Sequence, residues 1–210
     1  MKDKILIFDD LIDLEYQEKI KNILISNEKY KGFYFPWYFT DDVTKEGDSN
    51  SQKRPAFFHG YVNCNDGEIG GSVDSVFHEL FVSLVQNSCL AIDKTNVSIM
   101  KGRSFLQLPS KFKGPRADTP HVDTADGYFI DHFVMLYYVC DSDGDTILYN
   151  EQATSNNRFF KKHDKYTIQK RVTPKQGRVV LFDGSYYHTA EQPIDNIRCI
   201  VNYDLVECKG

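Results

Sequence analysis

The chain has no CxxC pair, no long apolar run and no excess of basic charge. Its five cysteines, Cys64, Cys89, Cys140, Cys199 and Cys208, are odd in number and scattered. That pattern excludes a disulfide framework and a cysteine zinc site, and it reads as a reducing, cytosolic protein. No apolar stretch approaches the roughly 20 residues that a membrane span needs. Asp9 and Asp10 follow directly on Ile5–Phe8, so the opening segment is too short for the roughly 7–15 apolar residues of a secretory signal. A net charge of −5 over 210 residues excludes a general nucleic-acid coat protein. Internal repeats and low-complexity tracts are absent too.

Aromatics are plentiful, with 13 Tyr and 15 Phe, which favours sheets and aromatic-lined pockets over a helical bundle. The length suits one domain. Residues 5–8 read as a strand. Asp13 offers an N-cap to a helix whose apolar stripe, Tyr16, Ile20, Ile23 and Leu24, runs to about Ser26. Residues 33–39 are aromatic and extended, residues 40–55 loop-like, and residues 57–62 a strand. Gly70, Gly71 and Ser72 open a second helix whose stripe from Val73 to Val85 is core packing. From residue 95 the texture becomes β-rich, in runs at 96–108, 129–140, 145–150, 167–173, 178–182, 187–191 and 197–206. The reading is an α+β, mainly β protein with a barrel or jelly roll. Residues 1–94 form a strand and helix support, and residues 95–206 the core. Asp143-Gly144 reads as a hairpin and Pro174–Gly177 as another turn. The long loops at 109–120 and 151–166 have the character of lids.

His121-Val122-Asp123 is the notable local pattern. In an extended segment residues i and i+2 point the same way, so an imidazole and a carboxylate converge. Alone the pair could sit on any surface. His188, 65 residues downstream, supplies a third group, and two imidazoles with one carboxylate make the facial triad of non-heme Fe(II). Arg198 lies ten residues after His188, with Pro193, Asp195 and Asn196 between them. A hairpin centred near residue 193 would set His188 and Arg198 opposite each other on one face. A guanidinium near such an iron suggests a carboxylate-bearing cosubstrate, and the set together points to 2-oxoglutarate.

With these residues in place the chain resembles the Fe(II)/2-oxoglutarate-dependent dioxygenases, most closely their prolyl 4-hydroxylase-like branch. The matching pieces are His121-Val122-Asp123, Val134–Val139, Val172–Phe182, His188 and Arg198. The aromatic Pro36-Trp37-Tyr38 looks like phage-type and marine bacterial members. The resemblance implies a double-stranded β-helix core with the N-terminal helices packed on one sheet. It implies Fe(II) on His121, Asp123 and His188, and 2-oxoglutarate on Arg198, with O2 as co-reactant and ascorbate as an accessory reductant. It also implies a tyrosine hydroxyl from the strand after the HxD. Only one of Tyr137 and Tyr138 can face the pocket, and Tyr138 fits the motif position. Four residues after the Arg, where a Thr or Ser is usual, stands Asn202, whose amide can still bond a carboxylate. His59 and Tyr38 read first as core, with the pocket as the alternative, and Gln107 at the end of its strand is a further candidate for the pocket mouth.

Two other patterns are decoys. Asp9-Asp10-Leu11 lacks the D-x-D of aspartyl-nucleophile phosphatases. Asp141, Asp143 and Asp145 lack the glycine and glutamate positions of a calcium loop. The reading for substrate is a protein or peptide, hydroxylated on proline; Lys111, Lys113, Arg116, Arg158, Lys161, Lys162 and Lys165 read first as solvated loop charge, with a peptide clamp as the alternative. The alternatives are a small molecule or free amino acid, or a non-catalytic module on the same fold. Nucleic acid is not expected, because no second Arg follows Arg198 before Glu207. The oligomeric state is not legible.

Overall fold

The computed structural model describes residues 4–43, 53–64, 70–111, 114–123, 130–153 and 165–208. In chain order it contains β1 (Ile5–Phe8), α1 (Leu14–Ile25), β2 (Tyr38–Thr40), β3 (Ala56–Asn63) and β4 (Ser72–Val73). A 3-10 turn (Val76–Phe81) then runs into α2 (Val82–Leu90). The rest is strand: β5 (Val97–Gln107), β6 (Phe133–Tyr138), β7 (Thr146–Gln152), β8 (Ile168–Val172), β9 (Val179–Asp183), β10 (Tyr186–Ala190) and β11 (Arg198–Glu207).

The period-2 alternation of the central strands decides the architecture. Met135 and Tyr137 on β6, with Cys199, Val201, Tyr203 and Leu205 on β11, join a core with Ile20, Ile23 and Leu24 of α1 and Phe81 and Leu84 of the second helical segment. Val134, Leu136 and Tyr138 on β6, with Ile200 on β11, face the other way and pack with Leu148 and Tyr186 of the second sheet. Both faces of β6 are covered, so all six of its residues are buried. Each large apolar side chain fully withdrawn from water contributes about 1.5–3 kcal/mol.

The larger sheet has the order β1-β9-β6-β11-β5-β3-β2, with β4 also paired to β3, and the smaller has the order β10-β7-β8. Every pair of strands is antiparallel. Together they form the expected jelly roll with helices on one sheet. Isolated bridges Ala117↔Glu191 and His121↔His188 lay the segment before Asp123 along the free edge of β10. Among the described residues no helix is long and apolar enough to cross a membrane.

Helix α1 starts where its cap requires: the Asp13 carboxylate accepts the Tyr16 N–H at 2.8 Å. The second helix does not open at Gly70. Ser72 and Val73 pair with β3, and the helical turns start after Ser75, whose hydroxyl accepts the Phe77 N–H. The reason is local: Ser75 caps, and Gly71 is enclosed so that a Cβ would meet Val62 and Met100 within 2.7 Å.

Two turn expectations need correction. Asp143-Gly144 does not close a hairpin, because β6 lies in the larger sheet and β7 in the smaller. The turn carries the chain between sheets. Gly144 is there for close approach: a Cβ would meet the Glu191 carbonyl at 2.6 Å and Arg198 Cδ at 3.1 Å. Nor do β10 and β11 pair with each other, since β10 pairs with β7 and β11 with β5 and β6. The Asp143 carboxylate accepts the N–H groups of Ile194, Asp195 and Asn196, and so folds the 193–196 segment into a crossover. His188 and Arg198 therefore meet across the sandwich.

Candidate metal and cosubstrate site

His121 and His188 are direct cross-strand neighbours. The His121 N–H donates to the His188 carbonyl at 3.0 Å and the His188 N–H returns a bond at 2.9 Å. Their rings lie 4.7 Å apart. Val122, between the two ligand candidates, turns outward into a cluster with Tyr149 and Tyr187. That alternation aims His121 and Asp123 inward together. The Nε2 of His188 is 3.4 Å from one Asp123 oxygen, and the Nε2 of His121 is 4.0 Å from the other. One ligand atom from each of the three lies within 4.8 Å of the others.

The donor set fits a divalent transition metal. The Nδ1 of His188 contacts the Tyr186 carbonyl at 3.1 Å and the Nδ1 of His121 the Thr119 carbonyl at 3.2 Å. A carbonyl can only accept, so each Nδ1 is the donor there, and each ring is left with Nε2 facing Asp123 as the nitrogen able to ligate once it carries no proton. Burial opposes the charge of Asp123, but the Arg103 guanidinium and the two imidazoles more than offset it. The carboxyl is held well below its usual range.

Arg103 and Asn202 hold Asp123 from behind. Arg103 donates Nη2 to one Asp123 oxygen, and the Asn202 amide donates to the other at 3.2 Å. The same guanidinium lies 3.9 Å from the carboxylate of Asp204, which is 1% exposed. Burial, and then Asp123, push the Asp204 carboxyl above its usual range. Arg103 was not singled out by sequence. The signal for it was available, because residues 103, 105 and 107 share a strand face and Gln107 was already noticed.

Arg198 sits at the other end of a cavity of about 210 Å³ whose wall includes Arg103, His121, Asp123, Thr146, His188 and Arg198. It is 3% exposed. Its donors meet neutral acceptors: Nε the Gly144 carbonyl at 3.0 Å, Nη1 the Gln107 amide oxygen at 3.2 Å and Nη2 the Thr146 hydroxyl at 2.8 Å. No carboxylate pairs with it among the described residues, and burial alone pulls it below its ordinary value. A buried guanidinium without an anion is costly to maintain. A ligand carboxylate entering the cavity fits that vacancy of charge.

The remaining candidates separate clearly. Tyr138 shares the Arg198 side of β6, with the guanidinium 6.0 Å from its ring. Its hydroxyl donates to Thr146 at 2.8 Å, and burial pushes the phenol up to about 12. Tyr137 faces the helices. Gln107 reaches the cavity wall. His59 does not: its ring nitrogens contact the Pro36 carbonyl and the Ser75 hydroxyl, and exposed Tyr38 stacks on it. Arg54, also missed by sequence, donates to the carbonyls of Pro115, Arg116 and Ala117, steadying the segment that carries His121. Of the basic loop residues, Lys113, Arg158, Lys161 and Lys162 lie outside the described residues.

No family model matches the chain, and no curated protein matches it. Solved structures do. A 2OG-Fe(II) oxygenase-family oxidoreductase from Burkholderia pseudomallei superposes with a TM-score of 0.66 at 11% identity, covering 98% of this chain and 86% of the other. The fold is that of the 2-oxoglutarate/Fe(II) oxygenases. A prolyl hydroxylase from Trichoplax adhaerens, solved with a hypoxia-inducible-factor peptide, gives 0.57 at 13% identity over 98% and 84% of the chains. The α-ketoglutarate-dependent epimerase SnoN of nogalamycin biosynthesis gives 0.62 at 10% identity over 97% and 78%.

Proposed function

We propose that this chain is an Fe(II)- and 2-oxoglutarate-dependent dioxygenase that hydroxylates a C–H bond. The observation that carries the reading is the meeting, in one cavity, of the His121, Asp123 and His188 donors with a buried Arg198 that has no acid partner among the described residues. His121 and His188 would ligate through Nε2 and Asp123 through a carboxylate oxygen, while Arg198 would hold the distal carboxylate of the oxo acid. Bound there, Fe(II) and 2-oxoglutarate supply the chemistry that couples O2 reduction and decarboxylation to hydroxylation, with succinate and CO2 as by-products.

The chain's own residues position and enclose. Arg103 and Asn202 fix the Asp123 carboxylate, the carbonyls of Thr119 and Tyr186 fix the two rings, and Gln107 and Gly144 fix Arg198. Val134, Leu136, Phe182 and Ile200 form the apolar part of the cavity wall, a surface that disfavours water beside the reacting groups. Ascorbate would serve as an accessory reductant. Calorimetric titration of the Mn(II)-loaded protein with 2-oxoglutarate tests the reading. Binding that requires the metal and disappears in Arg198→Met is expected; a folded, metal-loaded wild-type chain that takes up no 2-oxoglutarate overturns it.

For the substrate, the reading is a protein or peptide, hydroxylated on proline. Its support is the fold shared with the Trichoplax enzyme, which was solved with a peptide. Mass spectrometry of peptide libraries after incubation should find a product one oxygen heavier; none on any peptide sinks it. The confined cavity of about 210 Å³ and the fold shared with SnoN favour a second reading, a small molecule or free amino acid. 2-Oxoglutarate turnover stimulated by free amino acids and not by peptides would select it.

A further inference from the structure

We propose that the cavity face of β3 and β2 carries the active site outward as an aromatic shelf, with Phe58 at its centre and Tyr38 at its outer end. The shelf takes an apolar side chain of an extended peptide substrate, about three residues from the one that enters the cavity. The inference deepens the peptide reading and rests on the cavity being a 2-oxoglutarate dioxygenase site.

Strand register carries it. Residues directly opposite each other on paired strands share a face of the sheet. Ile200 of β11 stands opposite Phe105 of β5, Phe105 opposite Phe58 of β3, and Phe58 opposite Tyr38 of β2. In the next row Asn202 stands opposite Arg103, and Arg103 opposite Gly60. Arg103, Phe105, Ile200 and Asn202 all belong to the cavity wall. Their face therefore runs on past the cavity, through Phe58 and Gly60, to Tyr38. Val43, just beyond β2, belongs to the cavity wall as well, so β2 leads back to the cavity.

The outer part of this row has no cover. The apolar filling between the two sheets takes in Ile200 and Phe105 but, among the described residues, no side chain of β3 or β2. Phe58 is 39% exposed and Tyr38 56%, with their ring centres 6.1 Å apart. The His59 ring, stacked 5.9 Å from that of Tyr38, steadies it. At Gly60 an added Cβ would meet nothing closer than 3.5 Å, so the surface beside Arg103 is open. Adjoining exposed aromatic rings mark a binding surface, and rigid rings lose little entropy on contact.

Dimensions select the occupant. β3 and β2 reach about 10 Å beyond β5, two strand spacings. A free amino acid held in a cavity of about 210 Å³ does not reach Tyr38. An extended chain advances about 3.3–3.6 Å per residue, so a peptide with one residue in the cavity lays its third neighbour there. The cavity then reads the residue to be oxidised, and Phe58 with Tyr38 reads its neighbour.

Alternation along β2 supplies the control. Phe39 is 64% exposed, but it stands opposite Phe57, which stands opposite Leu106 on the helix side of the sheet. The test compares Phe58→Thr, Tyr38→Thr and Phe39→Thr, since threonine keeps the strand propensity. Fluorescence anisotropy follows labelled peptides on protein loaded with Mn(II) and 2-oxoglutarate. The probes are alanine-based peptides of about nine residues, with proline or another residue at the centre and Phe, Leu, Ser or Glu about three positions to either side. The wild-type chain should prefer Phe and Leu to Ser and Glu by about five-fold or more on one side. Phe58→Thr should abolish the preference, Tyr38→Thr should reduce it and Phe39→Thr should keep it. Unchanged 2-oxoglutarate affinity checks that each variant is folded, and Tyr38→Thr gives the readout if Phe58→Thr does not fold. A loaded wild-type chain that binds the peptides without preference, or binds none, overturns the inference alone. So does a preference that survives Phe58→Thr, or a wild-type dimer in sedimentation that Phe58→Thr dissociates, since a second copy would then occupy the shelf. A wild-type chain that binds no 2-oxoglutarate overturns the reading of the site and the inference with it.

Discussion

Replacing Arg103 with methionine removes a guanidinium that stands between two buried carboxylates. The side chain of Asp123 is 5% exposed and that of Asp204 1%. Breaking a buried pair by deleting one partner costs about 3–5 kcal/mol, because the other charge stays behind uncompensated. The Arg103 side chain is itself 27% exposed to the cavity, so the lower end applies, about 3 kcal/mol. For a chain of this length each kcal/mol moves the melting temperature by about 2–4 °C, giving a fall of about 6–12 °C. A divalent cation at Asp123 restores positive charge at the same place. The deficit should therefore shrink by about 1 kcal/mol or more in saturating Mn(II), which by linkage means about five-fold tighter Mn(II) binding by the variant. Urea unfolding with and without Mn(II) measures both quantities. An Arg103→Met chain within 0.5 kcal/mol of wild type without metal, or a deficit that Mn(II) leaves unchanged, would refute the electrostatic reasoning.

Other perturbations follow from single contacts. Tyr137→Phe should leave stability unchanged or raise it by about 1 kcal/mol in urea unfolding, since the Tyr137 hydroxyl is buried without a hydrogen-bond partner among the described residues. Gly144→Ala should destabilise by about 2 kcal/mol or more and weaken 2-oxoglutarate binding in the same titration, because its methyl collides with the Glu191 carbonyl and presses on Arg198. The Asp9 carboxyl is drawn from 3.8 to about 2, first by its hydrogen bonds to Arg178 and then by Lys175. A depressed folded-state value stabilises above about pH 4 and loses that stabilisation as pH falls toward 2. Asp9→Asn should therefore cost about 1 kcal/mol or less at pH 7 after solvent screening, and nothing below pH 2, as measured by unfolding across that range.

The strands were legible because their alternation and their β-branched and aromatic residues are local properties. Ile5–Phe8 and the core runs appear within one to four residues of where the pattern put them. His121, Asp123 and His188 were legible because i, i+2 spacing fixes a shared direction, and a triad needs only one distant partner more. What was not legible was which sheet each strand joins. Asp143-Gly144 and the 193–196 segment have the chemistry of local hairpins, yet both carry the chain across the sandwich. The deciding contacts, Asp143 with three backbone N–H groups and Gly144 against Glu191, link residues 47 to 53 positions apart. Arg103 and Thr146 escaped notice for the same reason. Neither belongs to a motif, and each gains its role from a partner that only the folded register supplies, Asp123 for one and Arg198 for the other. Asn202 was read from the sequence as an amide for the cosubstrate carboxylate; in the fold its amide donates to Asp123, because residue 202 sits level with Arg103 on β5.

The most direct test of the account is an anaerobic titration of metal-free protein with Fe(II) and 2-oxoglutarate, followed in the visible range, with His121→Ala alongside. The account expects a charge-transfer band from the metal-bound oxo acid in the wild-type chain and none in the variant. A folded wild-type chain that shows no band, or a variant that shows the same band, would contradict the claim that His121, Asp123 and His188 form an iron site facing Arg198.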